Sequence, residues 1–177
     1  MQSSVRPQLY NILNLLPTFM LFSTRTLTWI SRTSPTRVLI GLTQRGLDNL
    51  GSIKKIDYNI HPPTSPTSIT NTVVAREQNP LLTFHWEGYK TTFADELYHA
   101  VWDSVEGTHS LASPLTGSLI EYNDEKELYC LEANDWIYSL ELEERNSEEF
   151  LQLVDEHTYK KYVSNLEPGL FYEDEES

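Results

Sequence analysis

The chain has 177 residues, a single cysteine and a net charge of -13, from 26 acids against 13 Lys and Arg. That length supports one domain with one good core, while Cys130 standing alone excludes an internal disulfide and any cysteine-pair metal site. The acidity excludes nucleic acid and anionic membrane as partners of the main body, because both demand clustered cations.

The charge is unevenly placed. Residues 1–47 hold five arginines and no acid, whereas residues 48–177 hold eight Lys and Arg against all 26 acids. Residues 1–22, with Arg6, Leu9, Ile12, Leu13 and Leu16, read as an N-terminal extension, either an organelle presequence or a disordered or partner-docked tail. The apolar stretch Ile12 to Phe22 is broken by Asn14, Pro17 and Thr18 and is too short to span a bilayer, so no transmembrane segment is expected.

The domain proper is expected over residues 23–166. Thr26-Leu27-Thr28-Trp29-Ile30, the turn residues Ser34-Pro35-Thr36 and the run Val38-Leu39-Ile40 predict a first hairpin. Thr43 predicts the cap of a short helix through Leu47 and Leu50, with Gly51 as its left-handed stop. Ile53 to Ile60 alternates, placing Ile56, Tyr58 and Ile60 opposite Lys55, Asp57 and Asn59. The Pro/Ser/Thr-rich stretch from His61 to Thr72 predicts an exposed loop. Leu81 to Phe93 predicts an inserted hairpin turning at Glu87-Gly88, within an insertion spanning 63–93.

Leu97 to Val105 predicts a strand, and a tight hairpin around Glu106-Gly107 leads from it towards Ser113-Pro114-Leu115-Thr116-Gly117 and the strand Leu119 to Tyr122. Asn123 to Lys126 predicts a turn, and Trp136 to Leu142 a strand facing Trp136, Tyr138, Leu140 and Leu142 one way. Asn146 and Glu149 form a capping-box pattern before a helix with Phe150, Leu151, Leu153 and Val154 on its core face. A second short helix is expected around Tyr159 to Val163, then a solvated acidic tail over 167–177.

This order of elements resembles the glycine cleavage system H protein, the lipoyl-carrying member of the lipoyl/biotinyl hammerhead β-sandwich group. The words that carry it are Trp29, Ile40-Gly41-Leu42-Thr43, Leu47 to Ser52 with Ile56 to Ile60, Ser113 to Asn123, Asp135 to Leu140, and Ser147 to Tyr159. The resemblance implies a mainly β sandwich with a short N-terminal helix, an inserted hairpin and C-terminal helices. It also implies a carrier lysine in the family's E-S-V-K-A, which falls on Asp103-Ser104-Val105-Glu106-Gly107. Glu106 stands at the lysine position, and a carboxylate cannot form the amide that holds a lipoyl arm. No covalent cofactor is therefore expected.

Other chemistry is weakly supported. His85, Glu87, His99, Asp103, Glu106 and His109 are metal-binding or proton-moving types, but strand histidines are more often satisfied structural side chains. Ser104, Ser110 and Ser113 lack the context of a hydrolytic nucleophile. No catalytic or metal residue is assigned and no enzyme activity is expected. Trp86, Tyr89 and Phe93 are either core or a docking surface, and Arg32 and Arg37, with Arg25 and Arg45, either a basic contact face or a solvated one.

The function expected is that of a non-lipoylated, H-protein-like accessory or structural subunit of a larger complex, with protein partners and a mitochondrial setting; plastid or cytoplasm are the alternatives. A regulator or decoy of the glycine cleavage or lipoylation enzymes is a second expectation. A third is a cytosolic binding protein of the actin-binding transcription modulator kind, whose fold is similar.

Overall fold

Short runs of β-branched and aromatic residues at period two make strand the main secondary structure of this protein. The computed structural model describes residues 20–63, 73–95, 99–123, 128–143 and 147–166, and for 90–95, 99–103 and 147 the backbone only. The strands are β1 (Met20–Ser23), β2 (Thr28–Arg32), β3 (Arg37–Leu42), β4 (Ser52–Tyr58), β5 (Val73–Val74), β6 (Pro80–Asp95), β7 (His99–Ala112), β8 (Gly117–Tyr122) and β9 (Tyr138–Glu141). They form two antiparallel sheets: a six-stranded one ordered β1-β2-β3-β9-β8-β5 and a three-stranded one ordered β4-β6-β7. The helices are short: α1 (Gln44–Leu47), α2 (Ser147–Phe150) and α3 (Glu156–Ser164).

One core joins the two sheets. Ile30, Ile40, Leu119 and Leu140 from the larger sheet meet Leu82, Phe84 and Leu111 from the smaller, all fully buried. Burying each such side chain contributes roughly 1.5–3 kcal/mol. The first hairpin forms as the alternation predicts, with Ile30 opposite Ile40. Its turn is held by Arg37 N–H on Ser34 Oγ at 3.0 Å.

The chain crosses between sheets at Ser113 to Thr116, a corner held by side-chain hydrogen bonds. Ser113 Oγ donates to the Leu115 carbonyl at 2.6 Å, and the Thr116 N–H and hydroxyl both donate to the Glu149 carboxylate, at 2.6 and 2.7 Å. Glu149 thereby fastens α2 to the corner. α3 is capped by Asp155, which accepts from Thr158 N–H at 2.7 Å. It docks through Tyr159, whose ring stacks on Phe22 at 4.9 Å and whose hydroxyl meets Thr43 Oγ1 at 2.7 Å.

Several expectations are corrected. The hairpins expected at Glu87-Gly88 and at Glu106-Gly107 do not exist. Both pairs lie inside long strands, with Glu87 opposite Glu106, Gly88 opposite Val105 and Trp86 opposite Gly107. The glycine signal at 107 has another cause: a Cβ there would sit 2.3 Å from Trp86 Cζ2, so the position is small to admit the indole. Gly51 faces the same strand, where a Cβ would sit 2.3 Å from the Glu87 carbonyl oxygen; it is not a left-handed stop, since no described glycine has positive φ. β4 is bulged between Ile53 and Lys55, which breaks the expected alternation, and Tyr58 is exposed.

The stretch expected as an insertion is partly structural, because Val74, Leu81, Leu82, Phe84 and Trp86 are buried core. The expected boundary at residue 22 falls inside β1, whose Phe22 also exchanges two backbone hydrogen bonds with Val154 at 2.9 Å. α2 is a single turn, and Leu151 is 83% exposed instead of core-facing. The Asn146 cap and the acidic tail lie outside the described residues.

Candidate functional site

The outer face of the three-stranded sheet carries the densest set of chemically capable side chains described. Period two decides its membership: with Leu82, Phe84 and Trp86 turned to the core, Thr83, His85 and Glu87 face out. Directly opposite residues of an antiparallel pair share a face. Glu87 is therefore flanked by Glu106 on β7 and Ser52 on β4, and His85 by Thr108 and Lys55.

His85 Nε2 lies 2.7 Å from Asp57 Oδ2, and Lys55 Nζ lies 2.6 Å from Asp57 Oδ1. These two contacts, Lys55 first, hold the Asp57 carboxyl below the ordinary carboxylate range. Lys54 pairs with Glu87. Glu106 is exposed and has no ion pair or hydrogen bond among the described residues. Lys54, His85, Glu87, Glu106 and Thr108 line a shallow hollow of about 390 Å³. Asn59 and Ser110 extend the polar face through Thr83, with Asn59 Nδ2 donating to Thr83 Oγ1 at 2.9 Å.

Among the described residues, no hydrogen bond joins His85 to Thr108, and no three His, Cys, Asp or Glu side chains are placed to share a metal ion. His109, grouped with His85 by residue type, faces the opposite way, across from Phe84, and burial lowers its pKa from the ordinary imidazole value. Ser113 is fully buried in the sheet-crossing corner. For His99 and Asp103 the side chains lie outside the description.

The residues singled out for interaction separate. Trp86 is 9% exposed and belongs to the core, whereas Tyr89 on the outer face is 67% exposed. Phe93 is placed by its backbone alone, opposite Val101. Arg37 is held by Glu121 and by Ser139 Oγ, and Arg32 donates to the Ser34 and Pro35 carbonyls with its guanidinium 5.6 Å from the Phe150 ring centre. Arg25 pairs with Glu77 at 2.9 Å. These arginines make ion pairs and carbonyl contacts with loops and edges of the larger sheet.

The Asp57–His85 pair and Lys54 were not legible in sequence as a group. Their one advance signal was the polar alternation of Lys55, Asp57 and Asn59; the β6 partner strand was obscured by the false turn at Glu87-Gly88.

The chain matches no protein-family model and no curated protein. Its function is therefore argued from geometry.

β6 and β7 extend past the end of β4, whose last partner in that direction is Ser52 on Glu87. From Gly88 to Asp95, about 25 Å of strand at the usual rise, β6 pairs only with β7, from Val105 back to His99. Among the described residues this stretch is therefore a two-stranded ribbon. Among the described residues no helix is long and apolar enough to cross a membrane.

Proposed function

We propose that this protein is a non-catalytic binding subunit of a larger protein complex. The observation that carries the reading is the ribbon Gly88–Asp95 with His99–Val105, beside which no third strand is paired among the described residues. Two strands alone are marginal in water, so a ribbon of this length gains order from what it touches. The exposed Tyr89 at its base is a residue type that anchors protein contacts.

An H-protein-like ancestry fits the two antiparallel sheets and the Ser113 to Gly117 corner. The carrier function is no part of the reading, because position 106 is a glutamate set within a paired strand and not at a hairpin tip. An organellar setting is the expectation attached to the acid-free residues 1–22, read as a possible presequence.

The test is affinity purification of the tagged chain from its own cells, followed by sizing and mass measurement. A stable multisubunit assembly supports the reading, and recovery as a free monomer overturns it. Intact mass after expression with a lipoate ligase is expected to show no adduct.

A further inference from the structure

The two edges of the three-stranded sheet are guarded unequally. β4 is short, carries Lys54 and Lys55, and is bulged between Ile53 and Lys55. Lysines and bulges are the devices by which sheet proteins prevent strand addition. β7 runs for 14 residues, H-A-V-W-D-S-V-E-G-T-H-S-L-A, without a Lys, an Arg or a Pro. Its register with β6 is unbroken from Leu111 to Trp102, and among the described residues nothing pairs with its other side. Among the described residues it is a long, regular and unpaired edge.

Charge says what fits there. At the middle of that edge Glu106 stands directly opposite Glu87, an arrangement that like-charge repulsion disfavours. Lys54 neutralises Glu87, which leaves the exposed Glu106, among the described residues, as the uncompensated charge on the open side. Its outer-face neighbours along β7, Ser104, Thr108 and Ser110, are exposed hydroxyl residues. A strand added beside β7 sets its own outward residue against Glu106, and a Lys or Arg there completes the pair. A second copy of this chain is the wrong partner: each copy is acidic, and a two-fold pairing about the centre of β7 brings the two Glu106 carboxylates close together.

We propose that the β7 edge from Ser104 to Ser110 receives an extended segment of a partner protein as a fourth strand, with a basic residue of that segment on Glu106. The proposal rests on the binding-subunit reading and names its surface and the chemistry of its partner. Backbone hydrogen bonds supply the affinity of such strand addition, and the alternate side chains supply the selectivity.

The test uses the full chain, ¹⁵N-labelled, and three synthetic probes: Thr-Val-Thr-Lys-Thr-Val-Thr, the same peptide with Glu for Lys, and the Lys peptide with alternate backbone amides N-methylated. The Lys peptide is expected to bind, to slow amide exchange along Ser104 to Ser110, and to bind at least about tenfold more tightly than the Glu peptide. Glu106→Lys, an exposed position that leaves the fold intact, is expected to reverse that preference, and N-methylation to abolish binding. Binding that survives N-methylation, or that Glu106→Lys leaves unchanged, overturns the proposal. So does no binding by any peptide, or a dimer of the chain itself that persists in Glu106→Lys. Purification of the Glu106→Lys chain from cells separates the two levels. Partners retained in full sink the edge proposal alone, whereas no partner with either chain sinks the binding-subunit reading beneath it.

Discussion

The Trp86 indole occupies the space that any side chain on Gly107 would need, since a Cβ at 107 would lie 2.3 Å from Cζ2 and 2.7 Å from Cε2. The indole is buried, and Gly51 also borders it, where a Cβ would meet Cε3 at 3.1 Å. Gly107→Ala is therefore expected to destabilise the fold by about 1–3 kcal/mol through overpacking. Urea unfolding measures this, and Trp86→Phe in the same chain is expected to recover part of the loss. Additive losses in the double variant would show that the two positions are not coupled.

Tyr138 offers the opposite outcome. It is fully buried, and its hydroxyl lies near Ser113 but closes no hydrogen bond among the described residues. A buried hydroxyl without a partner costs stability. Tyr138→Phe is expected to raise the unfolding free energy by about 1 kcal/mol, visible as a higher urea midpoint at unchanged slope.

Glu149 takes two hydrogen bonds from Thr116, one from the backbone and one from the hydroxyl. Charge-assisted bonds of this kind are the strong ones, and the same hydroxyl accepts from Arg76 N–H at 3.0 Å. Glu149→Ala is expected to cost about 2 kcal/mol and to speed amide exchange in α3, which follows it. A double-mutant cycle with Thr116→Val is expected to return a coupling of about 1 kcal/mol.

Two pH limbs follow from burial. The His109 pKa is lowered from 6.5 by desolvation, so the unfolded chain takes up the proton first as pH falls. The associated stability is complete above that value and is lost below it, towards the folded value. Asp57, Glu77 and Asp155 are lowered carboxyls, whose own losses begin below about 4. A decline in urea midpoint between pH 7 and 5.5 that disappears in His109→Gln identifies the imidazole; a slope unchanged by the substitution assigns it elsewhere. At the other end, burial raises Tyr122, Tyr138 and Tyr159 above 10.0. Their neutral forms are favoured in the fold, and stability is lost as pH climbs past that value.

Periodicity made the sandwich-like body largely legible. Ile30, Ile40, Leu119 and Leu140 announced themselves as core, and Thr43 and the Ser113 to Gly117 corner sit where their residue types belong. The site was harder to read because glycine speaks for two different demands. At Glu87-Gly88 and Glu106-Gly107 the sequence reads as turns, yet both glycines lie within strands, and Gly107 answers to an indole 21 positions away in sequence. That long-range cause has no local trace. Misplacing those turns dismantled β6 and β7, and with them the face where Asp57, His85, Glu87 and Glu106 converge. The arginines' partners were hidden for a related reason, since Arg37 is matched by Glu121 and Arg25 by Glu77, which only the fold brings near.

The bridge between Phe22 and Val154 imposes an order on synthesis. β1 is among the first parts of the described fold to leave the ribosome, yet its outer edge stays open until residue 154 and the Tyr159 ring arrive. At 5–20 residues per second that wait lasts on the order of ten seconds. Through that interval the nascent chain presents an uncapped strand, so a stall between those points leaves an aggregation-prone intermediate that the finished protein no longer resembles.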